Sequence, residues 1–378
     1  MIRFLHLSDL HLGWRPRFME ETEARKVQAE RDRVLKEAVD YALVPEHRID
    51  LIIIAGDLFE THAPEQELTE LVIRELGRCV QAGKEVITVP GNHDEITYRD
   101  SVYRQEQERW PGILVTNPMP DLVAQPEIRG QKVFVYSLAY TGGLTRARPP
   151  IRDFPRVEGE GFPLAVFHGS YNWDAGDRSL PLDPDALAGV GYHYIALGHF
   201  HLHQTYRMGP GLGVYPGMNA GKGFHDRGVG RLLVGEWQPE QDIRLEQVPV
   251  PVPVFEQRVV DVSDISHPAQ LADLVKSQGS REAMVQIELR GIAGFPLDPE
   301  WLRKRCRDSF RYLEIANNAY YLSEEQLEHL SREKTITGFF LSRMKDRLAE
   351  AGSEEERKLL NRALTQGILA LRGGKQDA

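Results

Sequence analysis

The sequence predicts an α/β protein in which short buried strands alternate with amphipathic helices, followed by a smaller second domain. Three observations lead to this prediction. Apolar runs of strand length alternate with helical patterns through the first half of the chain. Polar clusters follow the ends of several of these strands. A proline-alternating stretch, PVPVPVF at 249–255, has the composition of a semi-rigid linker.

The first domain is predicted to begin with a strand at 2–7 and a long helix behind it, whose apolar residues recur at helical spacing from Val27 to Leu43. A second strand at 50–55 precedes a helix that starts near Pro64, because proline suits the first turn of a helix. Further strands are predicted at 85–89, 132–137, 164–167 and 194–197, with strands joined by glycine turns over 213–237.

After the linker, the pattern predicts a βαβαβ domain with strands at 256–262, 284–290 and 312–316 and helices at 268–278 and 299–309. From Ser323 the chain is predicted to be helical. The predicted domains are therefore 1–247, 254–322 and 323–372.

Composition narrows the class of protein. The chain has 378 residues, more than a single core usually organises, and its net charge of −10 argues against a protein that coats nucleic acid by overall charge. A local basic groove remains compatible with this value. No apolar run approaches the length of a membrane span and the N-terminus has no signal-peptide pattern, so we expect a cytoplasmic protein without membrane contact.

Five polar clusters stand at the predicted strand ends, and each alone has an ordinary explanation. Asp57 could cap a helix, Asn92 could hold a turn, and a single histidine usually packs in a core. Together they predict a metal site, because imidazole, carboxylate and amide groups without thiolates favour Mn²⁺, Fe or Zn²⁺. A dinuclear site needs a bridging carboxylate, for which Asp57 is the natural choice. The clusters are Asp9-Leu10-His11, Gly56-Asp57, Gly91-Asn92-His93-Asp94, His168-Gly169 and Gly198-His199-Phe200-His201.

The motifs DLH, GDLF, GNHD, HG and GHFH, in this order, resemble the signature of the calcineurin-like metallophosphoesterases over residues 1–237. The resemblance implies a four-layer α/β/β/α sandwich, with a smaller α/β capping domain and a C-terminal helical pair. It also implies two metal sites that share Asp57. One site would contain Asp9, His11, Asp57 and His201, and the other would contain Asp57, Asn92, His168 and His199. His93 would be the acid for the leaving group, and Asp94 would orient it.

Within this superfamily the chain resembles the SbcD-type DNA repair exonucleases. The stretch GDLFETHAP, the segment YPGMNAGKGFHDRG at 215–228 and the small second domain carry that resemblance. Two positions depart from the usual pattern, Glu60 after GDLF and Met218 in YPGM. The resemblance implies an exonuclease or endonuclease with two Mn²⁺ ions that acts on double-stranded DNA, a homodimer, and an SbcC-like ATPase partner.

Basic residues in two regions are predicted to contact the DNA backbone, although a solvated helix face explains such a run equally well. The predicted contacts are Arg15, Arg17, Arg303, Lys304 and Arg307, and Arg146 and Arg148 also flank the presumed cleft. The apolar faces of the C-terminal helices would either pack on their own domain or bind the ATPase. Two other functions remain open, a phosphodiesterase or phosphatase for another substrate and a non-catalytic scaffold that recruits the ATPase.

Overall fold

The computed structural model describes residues 1–142, 151–171, 179–226, 228–321 and 324–371. The chain divides into two compact units, Met1–Pro253 and Val254–Ala378. The assignment of separate roles to 254–322 and 323–372 stays a prediction. Within the described part of the chain, no helix combines the length and the hydropathy that a membrane-spanning segment requires.

The first unit contains fifteen described strands and four described α-helices, with short 3₁₀ turns at Pro45–His47 and Gln107–Arg109. The helices are α1 (Glu21–Leu43), α2 (Gln66–Gln81), α3 (Val102–Gln105) and α4 (Pro184–Ala188). The strands are β1 (Ile2–Leu7), β2 (Leu51–Ala55), β3 (Glu85–Val89), β4 (Ile113–Leu114), β5 (Asp121–Ala124), β6 (Glu127–Ile128), β7 (Gln131–Ser137), β8 (Phe162–His168), β9 (Ser170–Tyr171), β10 (Pro181–Leu182), β11 (Tyr194–Gly198), β12 (Gln204–Met208), β13 (Gly211–Tyr215), β14 (Arg231–Trp237) and β15 (Arg244–Pro249).

Two large sheets form the centre of this unit. One has the order β15-β14-β1-β2-β3-β4 and the other the order β12-β13-β11-β8-β7-β5. Strands β1, β2, β3 and β4 run parallel to one another in the first sheet, and β7, β8, β11 and β13 do so in the second. The flanking strands β14, β5 and β12 pair antiparallel with β1, β7 and β13. The strands that bear the polar clusters therefore end at shared sheet edges, where ligands of α/β sheets usually bind.

The sheets pack face to face, with helices outside them, in the predicted four-layer α/β/β/α order. Strand β7 illustrates this layering. Its residues Val133 and Val135 belong to the core between the sheets, whereas Phe134 and Tyr136 belong to the core on the outer face. A strand buried on both faces is apolar throughout instead of alternating with polar residues. Helices α1 and α2 cover the first sheet, and the short α4 contributes Leu187 to the outer core of the second.

The strands predicted over 213–237 correspond to β13 and β14, and the connection between them is longer than a glycine turn. Strand β13 ends at Tyr215 and β14 begins only at Arg231. Between the two strands, the carbonyls of Ala220 and Gly221 accept hydrogen bonds from the Arg31 guanidinium. Residues 216–226 form a loop that packs against the first polar cluster.

The second unit contains the predicted βαβαβ order, with β16 (Val254–Asp261), α5 (Pro268–Ser277), β17 (Ala283–Arg290), α6 (Pro299–Cys306) and β19 (Tyr312–Asn317). The strands form a parallel sheet in the order β16-β17-β19, and β18 (Ile292–Ala293) pairs with β20 (Tyr320–Tyr321). Helix α6 is shorter than predicted, because the chain tightens into a 3₁₀ turn at Arg307–Ser309.

The helical C-terminal region has three described helices instead of the predicted pair. They are α7 (Glu324–Ser331), α8 (Ile336–Glu350) and α9 (Glu354–Leu371). The sequence prediction treated the region after Ser323 as one helical stretch and resolved only the two longer apolar patterns. Those patterns correspond to α8 and α9, where Leu341 and Ile368 form a small buried cluster.

Candidate metal centre

The first polar cluster places two side chains in unusual backbone conformations. Asp9 and His11 follow β1, and both have positive φ angles, 53° and 46°. Asp57, after β2, has a φ of 51°, and His199, after β11, has a φ of 111°. Positive φ costs free energy in residues other than glycine, and such conformations concentrate at functional sites. Four of the seven predicted ligands therefore adopt strained backbone that the surrounding structure must stabilise.

Glycines next to these residues are required by close packing. A Cβ atom at Gly91 would lie 2.2 Å from Asp57 Oδ1 and 2.4 Å from the Asp57 backbone nitrogen. A Cβ atom at Gly56, where φ is 85°, would lie 2.2 Å from His168 Nδ1. The absence of a side chain at both positions lets loops from separate strands approach closely.

The structure brings the predicted ligands together in groups that share residues. Within each group, one nitrogen or oxygen atom per residue lies within 4.8 Å of the others. The carboxylate of Asp57 is central, because its Oδ2 lies 3.7 Å from His11 Nε2 and 3.5 Å from His168 Nε2. The groups are Asp9 with His11 and His201, Asp9 with Asp57 and His168, and His11 with Asp57 and His93.

The second predicted set converges on one amide oxygen. Asn92 Oδ1 lies 2.9 Å from His168 Nε2 and 3.0 Å from His199 Nδ1. His168 Nδ1 lies 2.9 Å from the carbonyl oxygen of Ala55. A carbonyl only accepts, so His168 Nδ1 donates to it and Nε2 is the nitrogen that faces Asn92 and Asp57.

The first set contains an imidazole nitrogen that no protein group satisfies. His11 Nε2 is buried and has no hydrogen-bond partner among the residues that the structure describes. The opposite nitrogen, Nδ1, lies 2.9 Å from Glu60 Oε2. A buried nitrogen lone pair that faces two carboxylates and a second imidazole fits a divalent cation, which this donor set of nitrogen and oxygen atoms would bind.

Charge and burial oppose each other in this centre. Burial alone would raise the pKa of Asp57, but the imidazoles of His168 and His11 lower it below its ordinary value. Burial likewise acts to lower the pKa of His168, while the Asp57 charge raises it to about 9. Burial lowers the pKa of His11. The buried Asp57 carboxylate therefore stays charged, and either a protonated imidazole or a bound cation can balance its charge.

His93 occupies a different position from the other imidazoles. Its backbone nitrogen donates to Asp57 Oδ1 over 2.8 Å, and its Nδ1 lies 3.1 Å from the Glu60 carbonyl oxygen. The ring stands edge-on to His11, with centroids 4.6 Å apart, and 37% of the side chain is exposed. The imidazole is therefore held through Nδ1 and stays partly open to solvent.

Asp94 was expected to orient His93, and its hydrogen bonds go elsewhere. The buried carboxylate accepts from the backbone nitrogens of Gly91 and Phe59 and from the Tyr103 hydroxyl. Burial, followed by the charge of Asp57, raises its pKa to about 6. The imidazole of His93 is held by the Glu60 carbonyl instead, so Asp94 acts on the turn that carries His93.

Two functional contacts escaped the sequence analysis. The guanidinium of Arg31, on α1, is fully buried and donates to the carbonyls of Leu10, His11, Ala220 and Gly221. Lys222 Nζ lies 2.7 Å from Glu60 Oε2. A buried arginine in a helix, and a lysine in a glycine-rich loop far along the chain, give no local signal that predicts these partners.

The predicted DNA contacts are spread over both units. Arg15 is only partly exposed, because its guanidinium bonds to Gln28, Glu21 and Glu65. Arg17 and Arg303 are exposed, Lys304 lies 4.0 Å from Glu300, and Arg307 lies 3.7 Å from Asp308. Arg146 and Arg148 lie outside the described residues. DNA contact by any of these side chains stays a prediction.

The chain is similar to known proteins over its first unit and, for one relative, over most of its length. The family model for calcineurin-like phosphoesterases matches residues 2–203. An uncharacterised metallophosphoesterase of Bacillus subtilis, YhaO, is 24% identical over 314 residues, which cover 80% of this chain and 73% of that protein.

Two relatives carry names that refer to DNA repair or to a nuclease. The DNA double-strand break repair protein Mre11 of Sulfurisphaera tokodaii is 24% identical over 212 residues, which cover 55% of this chain and 51% of that protein. One component of the nuclease SbcCD of Escherichia coli is 34% identical over 95 residues, 25% of this chain and 22% of that protein. The similarity to these two relatives spans about half of the first and about a fifth of the second.

Proposed function

Since the chain belongs to the calcineurin-like phosphoesterase family, we propose that it is a Mn²⁺-dependent DNA nuclease, working with an SbcC-like ATPase in DNA repair. The observation that carries the proposal is the position of the Asp57 carboxylate. One of its oxygens lies within 3.7 Å of an imidazole nitrogen from each predicted ligand set. A carboxylate between two sets of ligands is the feature that a dinuclear centre requires.

Each residue then has a role in phosphodiester hydrolysis. Asp9, His11, Asp57 and His201 would hold one ion, and Asp57, Asn92, His168 and His199 would hold the other. Two divalent ions held there would supply charge for the phosphate oxygens and would lower the pKa of an attacking water. His93, exposed beside His11 and oriented by the Glu60 carbonyl, would protonate the departing sugar oxygen.

The DNA substrate is supported by the relatives named for double-strand break repair and for the nuclease SbcCD. The partner is supported by the same relatives, and by apolar side chains that α8 and α9 leave in solvent. Ile336, Phe339 and Leu359 are 77%, 72% and 68% exposed. Exposed apolar side chains on neighbouring helices suit a hydrophobic surface on another protein. We also propose that the chain acts as a homodimer.

The test is an assay of end-labelled linear duplex DNA with Mn²⁺, comparing the wild type with His93→Ala. The proposal predicts shortened or cut strands that require Mn²⁺, and a loss of about 10²–10⁴-fold in turnover for the variant, the usual contribution of a general acid. Both proteins should bind the same number of Mn²⁺ ions. Intact DNA together with hydrolysis of a small phosphodiester would instead assign the site to another substrate, and inactivity on both would favour the scaffold.

A further inference from the structure

The carboxylate of Glu60 joins two loops that are distant in sequence. Its Oε2 atom lies 2.9 Å from His11 Nδ1 and 2.7 Å from Lys222 Nζ. The side chains of Glu60 and Lys222 are only 25% and 19% exposed. This ion pair is shielded from solvent and shares its acceptor atom with a predicted metal ligand, unlike the weak ion pairs of an open surface.

The contact with Glu60 decides which nitrogen of His11 faces the site. A carboxylate accepts hydrogen bonds, so the proton of the neutral imidazole lies on Nδ1, and Nε2 keeps its lone pair. That lone pair is directed towards Asp57 Oδ2, 3.7 Å away. Metal-binding histidines commonly have a carboxylate behind them in this manner, which holds both the tautomer and the orientation of the ring.

Lys222 in turn restrains the carboxylate. Its ammonium group lies 3.5 Å from His11 Nδ1, so the lysine, the carboxylate and the imidazole form one compact group. The loop that carries the lysine is itself held, because the Lys222 backbone nitrogen donates to Asp226 Oδ2 over 2.6 Å. Arg31 binds the preceding carbonyls of Ala220 and Gly221. The reach of Lys222 is therefore set by the loop and not by a freely rotating side chain.

The same loop approaches the other imidazole of this ligand set. Asp226 Oδ1 lies 4.0 Å from His201 Nδ1, while Asp226 Oδ2 accepts from Lys222. His11 and His201 stand with ring centroids 5.4 Å apart. The loop from Ala220 to Asp226 thus stands behind both histidines of one predicted ion.

We propose that Glu60 and Lys222 are positioning residues for one of the two ions, the one bound by Asp9, His11 and His201. The proposal rests on the proposed dinuclear function. It adds that only one of the two ions depends on Glu60 and Lys222. Removal of either residue weakens the binding of this ion and leaves the binding of the ion at Asn92, His168 and His199 unchanged. Neither side chain binds the ion itself.

The experiment measures Mn²⁺ binding to metal-free protein by calorimetric titration, with bound Mn²⁺ counted by electron paramagnetic resonance. Glu60→Ala should lower the affinity for one of the two ions by about 10–100-fold, the usual effect of removing a group that holds a metal ligand in place. Glu60→Gln should weaken it less, because the amide oxygen still accepts from Nδ1. Lys222→Met should affect the same ion, since it frees the carboxylate.

Two further variants make the comparison specific. Lys84→Met is the matched control, because Lys84 is also half-buried and donates to a carbonyl, that of Ile49, at a distant position in the fold. It should bind both ions as the wild type does. The double variant Glu60→Ala/Lys222→Met should be no weaker than Glu60→Ala alone, since the lysine acts through the carboxylate.

Each result has one meaning. Wild-type affinity for both ions in Glu60→Ala and Lys222→Met, with unchanged circular dichroism, would overturn the positioning role while the dinuclear proposal stands. Unchanged Mn²⁺ binding with a raised KM for DNA in Lys222→Met would also overturn it, because the lysine would then act on the substrate. A wild-type protein that binds no Mn²⁺ would refute the proposed function itself.

Discussion

At the scale of single residues, the site requires positions without a side chain as well as the ligands themselves. Gly91 leaves room for the Asp57 carboxylate, and a methyl group in its place would meet the Asp57 backbone as well as its side chain. The sequence places Gly56 and Gly91 directly before predicted ligands. It could not predict which atom each glycine admits, because those contacts join residues that lie 34 or more positions apart in the chain.

Gly91→Ala therefore tests how strictly the Asp57 position is required. We expect the variant to lose most Mn²⁺ binding and most hydrolysis, because Asp57 or its loop must move away from the ligand sets. Metal stoichiometry and phosphodiester hydrolysis measure this effect.

The control is Gly77→Ala in α2, where a Cβ atom meets nothing within 4 Å. That change should raise the free energy of unfolding by about 0.5–1 kcal/mol, because alanine favours the helix interior. Full activity in Gly91→Ala would contradict the packing argument.

At the scale of elements, the positions of the main strands could be predicted and the anchoring of the loops could not. The apolar runs identified β1, β2, β3, β8 and β11, and parallel pairing then placed their polar ends at common edges. The short strands β4, β9 and β10 were missed, because two residues carry no periodic pattern. The sequence predicted glycine turns before β14, but not the anchoring of the loop that lies there. Its hydrogen bonds run to Arg31, which a local pattern does not reveal.

Arg31 on α1 should therefore be more important for stability than its place in a helix indicates. Arg31→Met removes the donor for four buried carbonyls, and we expect the free energy of unfolding to fall by about 3–5 kcal/mol, as for other broken buried charge networks. Urea unfolding of metal-free protein measures the change.

Arg25→Met on the same helix is the matched control. Arg25 is 61% exposed and pairs with Glu21, four residues earlier, so its loss should cost less than about 0.5 kcal/mol. Equal losses in the two variants would show that the buried guanidinium does not hold the loops.

At the scale of the whole molecule, the sequence predicted a boundary near residue 248, and the two compact units meet at Pro253 and Val254. The prediction rested on the proline-alternating linker, because a stretch with few backbone donors rarely continues a sheet interior. The sequence pattern did not indicate the function of each unit equally well. A polar cluster indicates chemistry through its residue types, whereas an exposed apolar stripe and a buried one have the same sequence pattern.

The exposed residues of α8 and α9 lead to a prediction about assembly. The triple variant Ile336→Asp/Phe339→Asp/Leu359→Asp should lose binding to the SbcC-like ATPase while keeping Mn²⁺ binding and cleavage of a small phosphodiester. Analytical size exclusion of the two purified proteins measures the complex. Val259→Asp, which changes a 52% exposed valine elsewhere in the second unit, should retain the complex. Retention of the complex by the triple variant would place the interface on another surface.

The central claim is that one carboxylate, that of Asp57, joins two metal ions. The most direct measurement is the electron paramagnetic resonance spectrum of the protein loaded with two equivalents of Mn²⁺, compared with that of Asp57→Asn. We predict a spectrum of exchange-coupled Mn²⁺ ions for the wild type, because a bridged pair lies about 3.5–4 Å apart, and loss of that coupling in the variant. Two isolated Mn²⁺ signals in the wild type, or the same coupling without Asp57, would contradict the claim.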